Sequence, residues 1–237
     1  MLIHEGDERT VEVDVRLASA LAGVAGAVNA AGFHAVGYYS ANMTGNVSAL
    51  SDYLATGNLL FAALYASIVT AFISGAWASS LMINYGRRRK VRAVYAFSIL
   101  MEGTLLAAFG LADLWLPGIH RSVVLVIGLS FLMGLQNASA TRISNARVRT
   151  THVSGMATDM GIELATLFDV RRGVESAEEW PANRSRLRLH AMTILAFLIG
   201  GVVGVLIYGL VGGTLLVGAA ILLISIAVPE IIRARRG

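Results

Sequence analysis

Long apolar runs constrain this chain more than any other feature of its sequence. A helix rises 1.5 Å per residue, so about 20 apolar residues cross the hydrocarbon core of a bilayer. The sequence contains six such runs, near residues 17–39, 59–83, 93–112, 122–141, 189–209 and 211–229. Only 14% of the 237 residues are charged, whereas soluble domains carry about 25%. We therefore predict an all-α polytopic membrane protein with six transmembrane helices.

The basic residues predict how these helices are oriented. With the six spans as placed, eighteen of the nineteen Lys and Arg residues fall on one side of the membrane and only Arg121 falls on the other. Positively charged loops remain in the cytoplasm, so the tails 1–16 and 230–237 are both expected there. The tail 1–16 carries five acidic residues and no cleavable signal pattern. Because topology accounts for the arginines, no nucleic-acid partner is predicted.

The two halves of the chain share short sequence motifs in the same order. The matched segments are 26–30 with 134–138 at an offset of 108 residues, 44–48 with 154–158 at 110, 72–76 with 197–201 at 125, and 103–106 with 213–216 at 110. A unit of three spans crosses the membrane an odd number of times, so its second copy enters from the other side. The sequence therefore predicts two inverted three-helix repeats, 17–112 and 122–229, with a site where they meet near the midplane.

A polar segment follows the first span of each repeat, at 42–57 and at 153–167. Each has a polar stripe at helical spacing, formed by Thr44, Ser48 and Asp52 in the first and by Gly155, Asp159 and Glu163 in the second. Two structures remain open: a re-entrant or broken helix that lines a water-filled pathway, or an amphipathic helix on the membrane surface. In the first, both helix N-termini point inward and favour an anionic or strongly polar solute.

Several of these short sequence motifs resemble those of one known family. Met43-Thr44-Gly45-Asn46, Gly134-Leu135-Gln136-Asn137-Ala138 and the run 149–159 together resemble the YoaK family of bacterial inner-membrane proteins. The resemblance covers nearly the whole chain and implies a six-span protein of the bacterial inner membrane, but no chemistry, since the family has no known function. The chain departs from the family pattern at Ala30, near which an aspartate is common, and at Ser154, which is often Thr.

These observations favour a permease for a small polar or anionic solute. The predicted pathway residues are Asn29, Thr44, Gly45, Asn46, Ser48, Asn137, Ser154, Gly155, Thr158 and Asp159. Glu102, in the middle of the third span, and His34 are candidate coupling groups, because an ionisable residue at membrane depth is expensive unless it has a function or a partner. The alternatives are a neutral Glu102 hydrogen-bonded between helices and a His34 bonded to a backbone carbonyl.

Other function classes have less support. The chain has no Cys, no phosphate-binding loop, no paired metal-ligating His and no nucleophile motif. We therefore expect no catalytic residue, cofactor or metal. A non-transporting scaffold or sensor remains an alternative, and a lipid-acting intramembrane enzyme is a weaker one. The expected partners are the lipid bilayer and the solute. Gly200 with Gly204, and Gly209 with Gly213, predict close helix packing, either within one chain or in a homodimer.

Overall fold

The structure is a computed structural model that describes residue 2, residues 9–174 and residues 180–236. Within that part of the chain it contains eight α-helices and no strand. The helices are α1 (Val11–Val36), α2 (Met43–Ala55), α3 (Leu59–Arg88), α4 (Val94–Trp115), α5 (Gly118–Ile143), α6 (Val153–Arg171), α7 (Trp180–Val211) and α8 (Thr214–Arg236). The predicted tails lie partly outside the described residues, at 1, 3–8 and 237, and residues 11–16 already belong to α1.

Five of the helices are long and apolar enough to cross a membrane: α3, α4, α5, α7 and α8. They coincide with the predicted spans from residue 59 onward. The chain is therefore a multi-pass helical membrane protein. Helix α1, which contains most of the predicted span 17–39, is not among the five. Half of its 26 residues are buried against the other helices.

Polar caps and glycines set several helix ends. The Oδ1 atoms of Asn42 and Asn58 accept backbone N–H groups from the first turns of α2 and α3, at 3.1 and 3.4 Å. Gly37 ends α1 in the left-handed conformation, with φ 79°. Gly212, with φ 57°, separates α7 from α8 and lies within the glycine-rich turn that the sequence predicts between the last two spans.

The long helices pack as three closely joined pairs: α1 with α7, α3 with α5, and α4 with α8. Glycines allow backbones to touch in the first two pairs. A Cβ added to Gly26 would lie 2.0 Å from the carbonyl oxygen of Phe197, and one added to Gly134 would lie 1.9 Å from that of Phe72. Any larger residue at either position would force the helices apart.

Three of the four glycines in the predicted small-residue pairs make close contacts within the chain. Gly200 packs on the backbone of Gly23, and Gly204 packs on that of Ala27, so both join α7 to α1. Gly213 meets the backbone of Gly110 and so joins the start of α8 to α4. A Cβ added to Gly209 would meet nothing within 4 Å, so close packing within the chain accounts for Gly200, Gly204 and Gly213 but not for Gly209.

Burial differs sharply between the helices. Of the most apolar 18 residues of α5, 67% are buried, whereas the values for α3 and α7 are 22% and 11%. Large apolar side chains such as Leu60, Trp77 and Leu210 project outward from the two outer helices. Lipid covers such surfaces in a membrane. The short helices α2 and α6 pack on α3 and α7, respectively.

Candidate functional site

Asn29 of α1 holds the connector that leads into α2. Its Oδ1 accepts the backbone N–H of Ala41 at 2.8 Å and the hydroxyl of Ser40 at 3.4 Å. Because a backbone N–H can only donate, this bond also fixes which end of the amide is the oxygen. Asn29 is only 7% exposed, but its Nδ2 group makes no hydrogen bond to any described residue. Its two N–H donors are available to a ligand.

Asn137 of α5 holds the connector that leads into α6. Its Nδ2 donates to the hydroxyl of Thr151 at 2.7 Å and to the carbonyl of Met133 at 2.8 Å. Its Oδ1 accepts from the hydroxyl of Thr150 at 3.4 Å. The two asparagines thus do the same work, since each ties a long helix to the polar connector before a short helix.

The first turns of α2 and α6 line one cavity of about 790 Å³, which we call the junction cavity. Asn42 caps α2 with its side chain, but no side chain caps α6. Among the described residues, the backbone N–H groups of Val153, Ser154 and Gly155 have no acceptor. Helix N-termini carry a partial positive charge, and uncapped N–H groups bind anions readily.

The charged side chains of the junction cavity have the same sign. Arg149 and His152 line it, and no aspartate or glutamate in the described part of the chain does. A nitrogen of the Arg149 guanidinium lies 3.1 Å from Nδ1 of His152. Since a guanidinium only donates, Nδ1 of His152 is the acceptor in this contact. Phe72 and Phe197 complete the wall with apolar surface. The cavity is therefore rich in hydrogen-bond donors and positive in charge.

A second cavity of about 800 Å³, the α6 cavity, lies along the side of α6. Arg149 lines both cavities, so they share a wall at this residue. Asp159 and Glu163 face the α6 cavity from α6, and His190 faces it from α7. Nδ1 of His190 lies 3.1 Å from a carboxylate oxygen of Glu163. Unlike the junction cavity, this one mixes acidic and basic groups.

Comparison with known proteins identifies the family. A family model described as "Protein of unknown function (DUF1275)" matches residues 17–228. The chain belongs to this family. YoaK proteins, which the sequence motifs resemble, are members of it. The DUF1275 match contains every lining residue of the junction cavity, whereas Val11 and Asp14 of the α6 cavity precede it. No curated protein and no solved structure matches the chain significantly.

The structure brings half of the predicted pathway residues together. Those that line the junction cavity are Asn29, Thr44, Gly45, Asn137 and Ser154. They come from four helices and from both halves of the chain.

The other predicted pathway residues lie elsewhere. Asn46 is buried, and its Nδ2 donates to the carbonyl of Tyr39 at 3.0 Å. Ser48 and Thr158 are exposed, and each donates to the carbonyl four residues earlier in its own helix. Gly155 lies against the ring of His152, and Asp159 lines the α6 cavity.

The two candidate coupling groups line neither cavity. Glu102 is 1% exposed, and neither carboxylate oxygen has a hydrogen-bond partner among the residues described. The side chain of Gln136 lies beside it without an aligned bond. His34 is exposed and packs edge-on against the ring of Tyr208, with centroids 6.1 Å apart.

Sequence reasoning missed the contributions of Arg149, His152, Phe72 and Phe197 to the junction cavity. Arg149 and His152 stand within the run 149–159 that carries the family resemblance, which was a usable signal. The two phenylalanines lie in the matched segments 72–76 and 197–201, where they looked like ordinary apolar residues. In the parts of the chain that are described, no group of three His, Cys, Asp or Glu residues is placed to hold a metal ion.

Proposed function

We propose that this protein is a permease for a small anionic or strongly polar solute in the bacterial inner membrane. One observation carries the proposal: the N-termini of two short helices from opposite halves of the chain open onto a single cavity, which no carboxylate of the described residues lines. In hydrocarbon, irregular backbone is tolerated only where it is buried in protein or lines a polar cavity. This supports α2 and α6 as re-entrant helices rather than surface helices.

We further propose that the chain consists of two inverted repeats. Contacts between the halves obey the offsets found in the sequence. Gly26 contacts Phe197, and Gly134 contacts Phe72. Gly134 is the equivalent of Gly26 at the offset of 108 residues, and Phe72 is the equivalent of Phe197 at the offset of 125 residues, so the two contacts are related by exchange of the halves. The same exchange relates the helix pair α1 and α7 to the pair α5 and α3. Helices α4 and α8 are each other's equivalents, so their pair maps onto itself.

A second set of contacts supports the same symmetry at the far end of each repeat. A Cβ on Gly103 would lie 3.2 Å from the carbonyl oxygen of Ala220, and a Cβ on Gly213 would lie 2.6 Å from that of Gly110. Both partners of one contact map onto the partners of the other with the offset of 110 residues. Matched contacts of this kind support a repeat over chance similarity of short glycine-containing segments.

The proposed topology has six spans, with α1 as the sixth and both termini in the cytoplasm. The arginine distribution supports this orientation through the positive-inside rule. The α6 cavity then faces the cytoplasm, and Arg149 stands between it and the junction cavity. A solute would enter from the cytoplasm along α6 and bind in the junction cavity.

The donor inventory of the junction cavity supports an anion rather than a cation. The free N–H groups at the start of α6, the Nδ2 group of Asn29 and the Arg149 guanidinium all donate. Among the described residues, no carboxylate lines this cavity to bind a cation. Charge-assisted bonds to a planar or tetrahedral oxyanion suit both arginine and a helix N-terminus.

Cysteine labelling tests the charge of the pathway without knowledge of the solute. The chain has no Cys, so Ser154→Cys places one thiol in the junction cavity. Thr158→Cys, one turn further along α6 and exposed, is the matched control. We expect an anionic methanethiosulfonate to outpace a cationic one at position 154 by about tenfold relative to position 158, because charged clefts concentrate counter-ions by that factor or more. Arg149→Gln should remove most of this preference.

Equal relative rates at the two positions would contradict the proposal. They would mean that the cavity does not select anions, and the scaffold or sensor alternative would then be favoured. Protection of Ser154→Cys by one member of a panel of inorganic and carboxylate anions would identify the class of solute.

A further inference from the structure

Glu163 and His190 form a buried ionisable pair on the wall of the α6 cavity. Their side chains are 6% and 13% exposed, and Nδ1 of His190 lies 3.1 and 3.3 Å from the two carboxylate oxygens. The backbone carbonyl of Glu163 also accepts from Nδ2 of Asn183 at 3.0 Å. Two helices are thus joined at this point by a side-chain pair and by a separate hydrogen bond.

The first half of the chain shows that packing does not require the charged pair. By the repeat offsets of 110 and 125 residues, Tyr53 is equivalent to Glu163 and Tyr65 to His190. The two tyrosine rings stack at 5.6 Å, with 18° between their planes. The same helix-on-helix contact is therefore made by aromatic rings in one half and by an acid and a histidine in the other. Burying ionisable groups is expensive, so stability alone does not explain them.

The Glu163–His190 pair stands among other charged groups on the wall of the α6 cavity. The other charged groups lining the α6 cavity are Asp14 from α1, Arg147 and Arg149 from the α5–α6 loop, Asp159 from α6 and Arg186 from α7. Arginine keeps its charge at every physiological pH, and histidine is the side chain that titrates between about pH 5 and 8. His152 accepts a bond from the cationic Arg149, whereas His190 faces a carboxylate.

We propose that the Glu163–His190 pair is a proton-binding site linked to anion occupancy of the junction cavity. In the neutral imidazole, Nδ1–H of His190 donates to the Glu163 carboxylate. A proton from cytoplasmic water binds the other ring nitrogen, Nε2, and the imidazolium remains paired with the carboxylate, so the charge of the pair changes from −1 to 0. Removing that negative charge from the entry route favours an anion at Arg149. By linkage, a bound anion favours the proton equally. The linkage rests on the proposed permease function, whereas the proton site itself does not.

The pH dependence of the labelling ratio tests this proposal. The relative rate of the anionic and cationic reagents at Ser154→Cys, normalised to Thr158→Cys, is measured from pH 5.5 to pH 8. Thiol ionisation affects both reagents and both positions, so it cancels. One unit charge acting across about 10 Å changes the local anion concentration by about twofold at the dielectric constant of water and by more inside a protein. We expect the anion preference to be at least twofold larger at pH 5.5 than at pH 8.

Two variants test whether the Glu163–His190 pair causes the pH dependence of the anion preference. His190→Gln should make the preference independent of pH, and Glu163→Gln, which removes the carboxylate partner of the imidazolium, should move the rise to lower pH. His120→Gln, the same change at an exposed residue outside both cavities, should leave the rise intact. Size-exclusion chromatography of each variant verifies that it is folded, and the two variants provide independent routes to the result.

The outcomes separate the two proposals. A preference that exists but does not change with pH, or whose rise persists in His190→Gln, overturns the proton site. No anion preference at any pH overturns the permease proposal and the linkage with it.

Discussion

Replacing Gly134 with alanine places a methyl group where the backbone of α3 now lies. The added Cβ would be 1.9 Å from the carbonyl oxygen of Phe72, 2.8 Å from its carbonyl carbon and 3.1 Å from the backbone nitrogen of Ala76. All three atoms are backbone, so no side-chain rotation relieves the clash. To reach 3.0 Å, below which real Cβ contacts essentially do not occur, α5 and α3 must separate by about 1.1 Å.

The size of the penalty follows from that separation. A radial gap of about 0.5–1 Å forfeits a quarter to a half of each dispersion contact along the interface. Overpacking in well-packed cores costs about 1–3 kcal/mol, and a rigid backbone contact should reach the upper end of that range. A loss of about 3 kcal/mol corresponds to a melting temperature about 6–12 °C lower for a chain of this size. Gly26→Ala, which meets the carbonyl oxygen of Phe197 at 2.0 Å, should cost about the same.

The assay is thermal unfolding of the purified protein in detergent, followed by tryptophan fluorescence and by the fraction recovered on size exclusion. Gly218→Ala is the matched control, because it lies within α8 and an added Cβ there meets nothing within 4 Å. It should be neutral or stabilising by up to about 1 kcal/mol. If Gly134→Ala and Gly218→Ala have the same melting temperature, α5 and α3 are not in backbone contact, and the reasoning on packing and repeats is wrong.

Three further substitutions are predicted for the same thermal assay. Asp113→Asn should lower the melting temperature by about 2–6 °C, because Oδ1 of Asp113 accepts a charge-assisted hydrogen bond from Nε of Arg121 at 2.5 Å. The partial exposure of Arg121 reduces the stability that this ion pair contributes. Ser98→Ala should cost about 1 kcal/mol, since its buried hydroxyl is hydrogen-bonded to that of Ser139; an unchanged melting temperature would argue against that bond. Glu102→Met should be neutral or stabilising by about 1–3 kcal/mol, because neither carboxylate oxygen has a partner among the described residues; a clear loss of stability would reveal a partner for the carboxylate.

The positions of the helices were largely predictable, but their lengths were not. Apolar run length is a local property, so the predicted spans from residue 59 onward largely coincide with α3, α4, α5, α7 and α8. Helix α7, however, begins at Trp180, nine residues before the predicted span at 189. Hydropathy detects only its apolar part. The polar beginning of α7 packs on α6 through Asn183, which is a tertiary contact.

The candidate site was predicted in part for a similar reason. Asn29 and Asn137 were recognisable because they occupy equivalent places in the two halves. Asn46 was equally conspicuous in its motif, but its side chain turns to the carbonyl of Tyr39. A motif identifies the residues of a turn, whereas the direction of each side chain depends on the connector that packs against it.

The sequence by itself determined that this is a helical membrane chain and where its helices and polar connectors lie, because hydrophobic length and local capping act over a few turns. Only the tertiary structure decided that the first turns of α2 and α6 line one cavity, that Arg149 lies in the wall of both cavities, and that Glu163 pairs with His190. These residues meet because Gly26 and Gly134 bring their helices into backbone contact with helices far away in the chain. Such long-range approach depends on packing between surfaces, which no local pattern encodes.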